Sequence, residues 1–484
     1  MTLKVLSVAS EAAPLIKTGG LADVAGALPA ALAPHGVEIT TMLPGYPSVM
    51  KAIRSARPLF AWDRLLGEPA RLLSTKVGGH PFLILDAPGF YIRDGSAYAD
   101  KTGKDWPDNW RRFAALARAA ADVAGGAVKS RKFDLLHAHD WQAGLAPAYL
   151  RFAPFGDRSV PSVMTVHNMA FQGFFPATIF RSLELPKAAW TYEGVESYGG
   201  VGLLKAGLQL ANLVTTVSPS YAAEIALPEF GMGLEGLIVS RGDDVAGILN
   251  GIDTREWNPA TDGALTANYS AASLAKRTAN KHALEREFGL DRDDGPLFIV
   301  VSRLTWQKGM DVLPEVLDHL VGNGGRLALL GAGDLAIERA LKAGAARHAG
   351  RVGLRIGYDE QLSHRMQGGG DAILVPSRFE PCGLTQMYGL AYGCVPVVAR
   401  TGGLADTIID ANVAALAESA ATGIQFTGVN NHGLAAAITR AVALYRNRRV
   451  WRTIQRNGMA ADFSWARSGK AYADHYRRLV GRAA

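Results

Sequence analysis

The stretch SRFEPCGLTQMYGLAYG, residues 377–393, decides how this chain is interpreted. It follows the apolar run DAILVP (371–376), which predicts a buried strand, and its second half has helical spacing. A strand-to-helix turn at the carboxyl edge of a parallel sheet is where α/β proteins bind ligands, and free N–H groups at a helix start attract anions. Glu380 in this turn suits a sugar hydroxyl or a developing positive charge. A helix cap on a surface loop is the alternative.

A second motif, GGLAD, occurs at 19–23 and again at 402–406, each time between a predicted strand and a predicted helix. Two α/β halves that use the same glycine-rich turn indicate two similar sheets. We therefore predict an α/β fold of two Rossmann-like domains that face each other across a deep cleft. The predicted domains are N-terminal (1–248), C-terminal (249–459) and a last helical segment (460–484) that packs on the N-terminal domain.

The first glycine-rich turn, KTGGLADV (17–24), combines a cation with two glycines before a helix. Gly19 and Gly20 allow close approach of a ligand and leave N–H groups for phosphate oxygens, and Lys17 adds a compact positive charge. The pattern is neither a dinucleotide fingerprint nor a Walker motif. A simple connecting turn is therefore the alternative explanation.

Polar residues end two further strands of the first half. FDLLHAH ends before Asp140, and PSVMTVH ends in His167 and Asn168. Parallel strands bring such ends to one edge, so these groups belong beside the KTGG turn. We interpret His139 as a hydrogen-bonded strand-end histidine and His167 as functional, because Asn168 beside it suits a sugar. Carboxylates are too sparse here to predict a metal site.

The second half begins with a strand and the loop SRLTWQKG (302–309). Arg303 and Lys308 lie in this loop, and Gly309 follows before an amphipathic helix. Two cations at a helix start predict a clamp for phosphate groups. A solvated basic loop is the alternative.

Composition excludes several classes of protein. The chain has 484 residues, 48% hydrophobic and 20% charged, and no apolar run of the ~18 residues that cross a bilayer. Without an export signal we expect a cytoplasmic protein. The two cysteines, Cys382 and Cys394, predict no disulfide framework. The net charge of +7 is scattered, so we expect neither nucleic acid nor membrane as a partner.

Taken together, the motifs closely resemble those of the bacterial glycogen synthases and plant starch synthases, in the members that use ADP-glucose. The resemblance runs nearly from end to end, and Gln142 stands where some members have His. The motifs are KTGGLADV (17–24), HAHDWQAGLAPAYL (137–150), TVHNMAFQG (165–173), LNGIDTREWNPATD (249–262), SRLTWQKG (302–309), VPSRFEPCGLTQMYGL (375–390) and RTGGLADT (400–407).

The resemblance implies the GT-B architecture, with the N-terminal domain on the acceptor side and the C-terminal domain on the donor side. It implies a retaining hexosyltransferase of glycogen biosynthesis. Glucose would pass from ADP-glucose to the non-reducing 4-hydroxyl of an α-1,4-glucan such as glycogen, with no metal and no cofactor. The motifs offer no obvious carboxylate pair at the ~5 Å separation of retaining glycosidases, so Glu380 is not interpreted as a nucleophile.

The resemblance also implies roles for single residues on the donor side. Arg303 and Lys308 would hold the diphosphate and stabilise the leaving charge, and Glu380 would bind the glucose hydroxyls. Tyr358 would lie against the adenine. Further donor-binding residues would be Cys382, Gly383, Leu384 and Thr385, the last of these on phosphate.

On the acceptor side the resemblance assigns Asp140 and His167 to the glucose. Lys17 and Gly20 would face the diphosphate and the acceptor. The remaining substrate-binding residues would be Gly19, Asp23, Asn168 and Asn250.

Two other functions stay open. A related glycosyltransferase could use another nucleotide sugar, whereas a phosphorylase would need a pyridoxal cofactor on a lysine. A non-catalytic glucan-binding protein of the same fold is the other alternative. The presence of Lys17, Arg303, Lys308 and Glu380 argues against it, because a degenerate protein tends to lose such residues.

Overall fold

The computed structural model describes most of the chain, namely residues 2–53, 55–155 and 159–483. Contacts within it define two compact units, unit 1 (Met1–Gly251 with Trp465–Ala484) and unit 2 (Ile252–Ser464). The ranges predicted from the sequence differ from these limits by a few residues.

Unit 1 has strands that read as short apolar runs because most are covered on both faces. The strands are β1 Leu3–Val8, β2 Val37–Pro44, β3 Arg57–Leu65, β4 Glu68–Val77, β5 His80–Asp86, β6 Leu135–His139, β7 Ser162–Val166, β8 Phe174–Pro176, β9 Glu196–Ser197, β10 Gly200–Gly202, β11 Leu213–Thr216 and β12 Val245–Gly247. The helices are α1 Gly20–Leu32, α2 Pro47–Ala52, α3 Pro88–Tyr91, α4 Asn109–Gly125, α5 Asp140–Ala143, α6 Ala146–Phe152, α7 Leu203–Leu210, α8 Pro219–Glu224, α9 Pro228–Gly231 and α10 Glu235–Arg241.

In the described part of unit 1 the large sheet has nine strands, in the order β12-β11-β7-β6-β1-β2-β5-β4-β3. Neighbours from β12 to β5 are parallel, and β4 and β3 extend the sheet as antiparallel strands. β1 lies between β2 and β6, so the strand order runs outward from β1 to β2 on one side and to β6 on the other. The turns after β1 and β6 therefore meet at the switch point, where doubly wound sheets bind ligands.

Unit 2 is a smaller doubly wound sheet. Its strands are β13 Leu297–Val301, β14 Arg326–Gly331, β15 Val352–Ile356, β16 Ala372–Val375, β17 Val395–Ala399 and β18 Ile424–Phe426. Its helices are α11 Arg277–Phe288, α12 Leu317–Gly322, α13 Leu335–Arg347, α14 Glu360–Gly369, α15 Thr385–Tyr392, α16 Gly402–Thr407, α17 Val413–Ala417, α18 Asn431–Arg446 and α19 Arg448–Ala460. All its paired strands are parallel, in the order β15-β14-β13-β16-β17-β18, the strand order of a Rossmann fold.

These two sheets confirm the predicted fold class. DAILVP forms β16, the segment after it forms α15, and each GGLAD motif begins a helix, α1 or α16. Because β13 pairs with β16, the loops that follow these two strands lie side by side. The SRLTWQKG loop and the FEPCG turn are those loops.

The last helix, α20 (Trp465–Ala483), returns to unit 1 and packs along α1. Gly469 lies so close to α1 that a Cβ there would be 2.3 Å from the carbonyl oxygen of Ala31. The hydroxyl of Tyr476 is buried and hydrogen-bonded to Nδ1 of His137 at 2.7 Å. His137 belongs to β6, so the end of the chain completes the core behind the switch point.

Replacing Tyr476 by Phe should lower the free energy of unfolding of unit 1 by about 1–3 kcal/mol, because the buried Nδ1 of His137 loses its partner. Urea unfolding of the whole chain measures this. The matched control is Tyr192→Phe, which removes a hydroxyl from a tyrosine that is 71% exposed in the same unit and should change stability little. Equal midpoints for both variants would contradict the expectation.

Candidate functional site

The FEPCG turn joins β16 to α15 and holds a buried carboxylate. Glu380 is 6% exposed, and its Oε2 accepts hydrogen bonds from Nζ of Lys308 at 2.5 Å and from the hydroxyl of Ser377 at 2.8 Å. Lys308 reaches it from the neighbouring SRLTWQKG loop. The structure thus brings together the carboxylate and the cation that the sequence predicted for the site.

The pair is a buried charge pair, with the two side chains 17% and 8% exposed. Removing one partner would leave the other charge without compensation in a dry site, which is strongly destabilising. Arg303 lies in the same loop and is exposed, and its guanidinium has no hydrogen-bond or ion-pair partner among the described residues, although its carbonyl accepts from Ser302 and Thr305. At this site Lys308 is therefore held in place by Glu380, whereas the guanidinium of Arg303 is available to bind an anion.

The second GGLAD motif (402–406) supports the backbone of the FEPCG turn. The N–H of Gly403 donates to the carbonyl of Glu380 at 3.1 Å. A Cβ on Gly403 would lie 2.2 Å from the carbonyl oxygen of Cys382, so only glycine fits there. The repeated motif that suggested two sheets is thus the support of the turn in unit 2.

The side chain of Gln386 hydrogen-bonds two backbone carbonyls of the turn. Nε2 of Gln386 donates to the carbonyls of Cys382 and Gly383 at 3.1 and 2.9 Å. Helix α15 begins at Thr385, with Leu384 as the residue before it. The first N–H groups of a helix have no partner within it, so this start is a place where an anion can bind.

Tyr358 lies beyond the end of β15, and its ring is 78% exposed. Its hydroxyl donates to Oε2 of Glu360 at 3.0 Å. The side chain is thus anchored at its hydroxyl, while most of the residue is exposed to solvent.

In unit 1 the KTGG turn follows β1. Nζ of Lys17 forms an ion pair with Oδ1 of Asp23 at 2.9 Å, which joins two of the predicted residues. Gly19 has extended backbone, and no atom of the described part of the chain lies within 4 Å of where a Cβ on Gly19 or Gly20 would be. Packing inside unit 1 therefore does not explain why these two positions are glycine.

Glu11 holds this turn in place, and sequence reasoning missed it. Its carboxylate is 4% exposed and accepts from the N–H groups of Thr18 and Gly19 at 2.5 and 3.3 Å and from the hydroxyl of Thr18. The hydroxyl of Tyr98 donates to its other oxygen at 3.0 Å. A lone carboxylate in the apolar segment SVASEAAP is the signal that could have found it.

Three histidines form a row at β6 and the end of β7, with His137 and His139 buried and His167 half-buried. Nδ1 of His139 is 3.0 Å from Nε2 of His167, and Nε2 of His139 is 3.1 Å from the hydroxyl of Ser7. Burial lowers the pKa of His137 and of His167 to about 3, and that of His139 well below its usual value. All three rings are therefore neutral at pH 7, and His139, satisfied at both nitrogens, orients the His167 ring.

Asp140 directly follows β6 and has a rare backbone conformation. Its φ is +54°, in the left-handed region, which costs a non-glycine residue of order 1–3 kcal/mol. Oδ1 accepts from the N–H of His167 at 2.7 Å. Burial raises the pKa of Asp140 to about 7, against the lowering by this N–H and that of Asn168, and the charge of Glu11 raises it further.

The last two predicted residues differ in their surroundings. Oδ1 of Asn168 accepts from the N–H of Ala170 at 3.0 Å and so closes a turn of its own. Asn250 is 6% exposed, and its Oδ1 has no hydrogen-bond partner within the described ranges. A buried amide oxygen without a partner is costly and points to a role outside packing.

Comparison with known proteins identifies the family. A family model described as starch synthase catalytic domain matches residues 4–240, and one described as glycosyl transferases group 1 matches residues 283–457. A glycogen synthase of Novosphingobium aromaticivorans is 69% identical over 481 residues, 99% of each chain. The chain belongs to the glycogen synthase family. The resemblance inferred from the motifs is thereby confirmed.

Other relatives agree. A glycogen synthase of Rhizobium rhizogenes is 57% identical over 482 residues, 100% of both chains. The solved catalytic domain of starch synthase IV from Arabidopsis thaliana, bound to ADP and acarbose, matches with a TM-score of 0.89 at 32% identity and covers 100% of both chains. Among the helices of the described ranges, none is long and apolar enough to cross a membrane.

The raised pKa of Asp140 predicts a pH dependence of stability. Between about pH 4 and pH 7 this carboxyl is ionised when the chain is unfolded and protonated when it is folded. Its contribution to stability is therefore largest at low pH, falls by up to about 1.4 kcal/mol per pH unit, and levels off above its folded pKa.

Asp140→Asn, which tolerates the same φ and does not titrate, is the matched reference. The difference in the free energy of unfolding between the wild type and this variant should shift in favour of the variant as the pH rises through this range, measured by urea titration at several pH values. Two stability curves that run parallel from pH 4 to pH 7 would show that Asp140 titrates normally.

Proposed function

We propose that this chain is a glycogen synthase that transfers glucose from ADP-glucose to the non-reducing 4-hydroxyl of an α-1,4-glucan, with retention of configuration. The reaction needs no metal and no cofactor, and it takes place in the cytoplasm. The Lys308–Glu380 pair, with Arg303 beside it, is the observation that carries the proposal. Family membership supports it, as does the ADP bound to the related starch synthase.

Donor binding is the task of unit 2 in this proposal. The diphosphate lies against the N–H groups at the start of α15, near Leu384 and Thr385, and Arg303 and Lys308 neutralise it. The ring of Tyr358, an exposed residue, stacks on the adenine. Glu380, with the main chain of Cys382 and Gly383, binds the glucose hydroxyls.

Bond breaking produces a positive centre on the sugar and an extra negative charge on ADP. The Lys308 ammonium is already oriented by Glu380, so it stabilises the leaving phosphate without reorganisation as charge develops. These cations do the work that a metal does in other transferases. Oε2 of Glu380 is bound by Lys308 and Ser377, which suits a residue that positions and not one that attacks the sugar.

Acceptor and glucose binding falls to the polar edge of unit 1. Asp140 and His167 hold the glucose, with Asn168 beside them, and the Oδ1 of Asn250 meets a sugar hydroxyl. Lys17, paired with Asp23, and the open glycines Gly19 and Gly20 let substrate approach the turn. A phosphate oxygen of the leaving ADP accepts the proton of the acceptor hydroxyl on the face from which the new bond forms, which accounts for retention.

The deciding experiment is release of ADP and of UDP from the two glucose donors, with glycogen as acceptor and EDTA present. We expect rapid ADP release and incorporation of glucose into α-1,4-linkages. Fast release of UDP alone would identify a transferase for another nucleotide sugar. Glycogen binding without turnover of either donor would identify a glucan-binding protein.

Single substitutions test the proposed roles in unit 2. Lys308→Gln and Glu380→Gln should each lower kcat at least about 100-fold, because the fixed positive charge or its orientation is lost. Each variant leaves one charge without its counter-ion and should therefore lower the melting temperature. Because Gln can still hydrogen-bond the remaining partner, circular dichroism at the assay temperature should show a folded chain. The control is Lys342→Gln, at a side chain that is 57% exposed in the same unit. A rate near that of the wild type would remove the tested residue from the catalytic set.

A further inference from the structure

A cluster of three metal-ligating side chains lies in unit 2, apart from the Lys308–Glu380 pair. One ligand atom each of Glu256, Glu360 and His364 lies within 4.8 Å of the other two. Glu360 and His364 stand four residues apart at the start of α14, so they share one face of that helix. Glu256 comes from the segment that opens unit 2.

The histidine ring is fixed on its flat side by aromatic stacking. His364 stacks on Trp257 with 3.9 Å between ring centroids and 15° between planes. Trp257 stacks in turn on Tyr388 at 3.6 Å and 9°. Because Glu256 is the residue before Trp257, this stack also fixes where the Glu256 side chain leaves the backbone. The stack thus orients the ring of His364 and fixes the backbone position of Glu256.

The edge of the ring is fixed by a carboxylate. Nδ1 of His364 is 2.8 Å from Oδ2 of Asp262, which also accepts from the hydroxyl of Tyr392 at 2.5 Å. This contact occupies Nδ1 and leaves Nε2 as the available ligand nitrogen. A buried carboxylate on the far nitrogen is the usual support of a metal-binding histidine, because it fixes the tautomer and raises the basicity of the ligand.

Charge and second contacts complete the site. Two carboxylates and a neutral imidazole carry a charge that balances a divalent cation. Glu360 also has an outer partner, since the Tyr358 hydroxyl donates to its Oε2 at 3.0 Å. We propose that Glu256, Glu360 and His364 form a binding site for one divalent first-row transition-metal ion, with water at the remaining positions.

The distances suit such an ion. A point central to three atoms within 4.8 Å of one another is at most about 2.8 Å from each, against the ~2.0–2.2 Å of zinc bonds to nitrogen and carboxylate oxygen. An inward movement of each ligand atom by less than about 1 Å would bring all three to bonding distance. An imidazole with two carboxylates favours Zn²⁺ or Co²⁺ over Mg²⁺ and Ca²⁺, which prefer shells of oxygen alone.

The site touches the residues of the proposed function at Tyr358, which donates to Glu360 and is proposed to stack on the adenine. None of its three ligands belongs to the residues assigned to the transfer reaction, which is expected to proceed with EDTA present. A bound ion would join the start of unit 2, at Glu256, to helix α14, so its expected effect is on stability. The test therefore measures metal binding and thermal stability instead of enzyme turnover.

Isothermal titration of ZnCl₂ into the untagged, chelator-treated whole chain is the experiment, with Co²⁺ absorption in the visible range as a second probe. We expect one equivalent of Zn²⁺ and a rise in melting temperature. Glu256→Gln and Glu360→Gln should each weaken binding at least about tenfold. Glu418→Gln, at an exposed carboxylate elsewhere in unit 2, is the matched control and should bind like the wild type.

Both substitutions affect side chains that are not buried, so melting of the metal-free variants should match that of the wild type. The proposal is overturned if the wild type takes up no saturable Zn²⁺. It is equally overturned if Glu256→Gln and Glu360→Gln bind as tightly as Glu418→Gln, which would show adventitious binding elsewhere on the surface.

Discussion

A polar group in the dry interior of a protein is costly without a partner, and this constraint shapes the sites of both units. In unit 1 the carboxyl ends of β1, β6 and β7 carry a carboxylate, two imidazoles and a glycine-rich turn. Glu11 satisfies the N–H groups of the turn, and His139 joins Ser7 to His167. The Glu11 contacts hold the connection after β1 in shape, and the His139 contacts join the ends of β1, β6 and β7.

In unit 2 the polar groups of the site satisfy each other as an ion pair between Lys308 and Glu380. Lys308 and Glu380 neutralise each other in a site too dry for either alone, and the backbone beneath them is fixed by Gly403 and Gln386. Such a pair contributes little net stability, because desolvation offsets the attraction. What it provides is orientation, which is what a transition state that separates charge requires.

Much of this was predictable from local sequence, and the limits have a physical cause. The strand-turn-helix units around KTGG, SRLTWQKG and FEPCG follow from apolar runs and glycines a few residues apart, so their elements were predicted correctly. The support of Glu11 by Tyr98 and the packing of Trp257 against His364 join residues about 90 and 110 positions apart. No periodicity encodes such contacts. Lys17 and Asp23 were singled out separately, yet only the fold shows that they form a pair.

The return of α20 to unit 1 has a consequence for how the molecule is made. A ribosome releases residues in order, so the sheet of unit 1 emerges complete long before Tyr476 exists to meet His137. Unit 2 must be synthesised in the interval. Throughout that time the face of α1 that α20 covers, and the Nδ1 of His137, are exposed to solvent, and transiently exposed apolar surface of this kind favours aggregation.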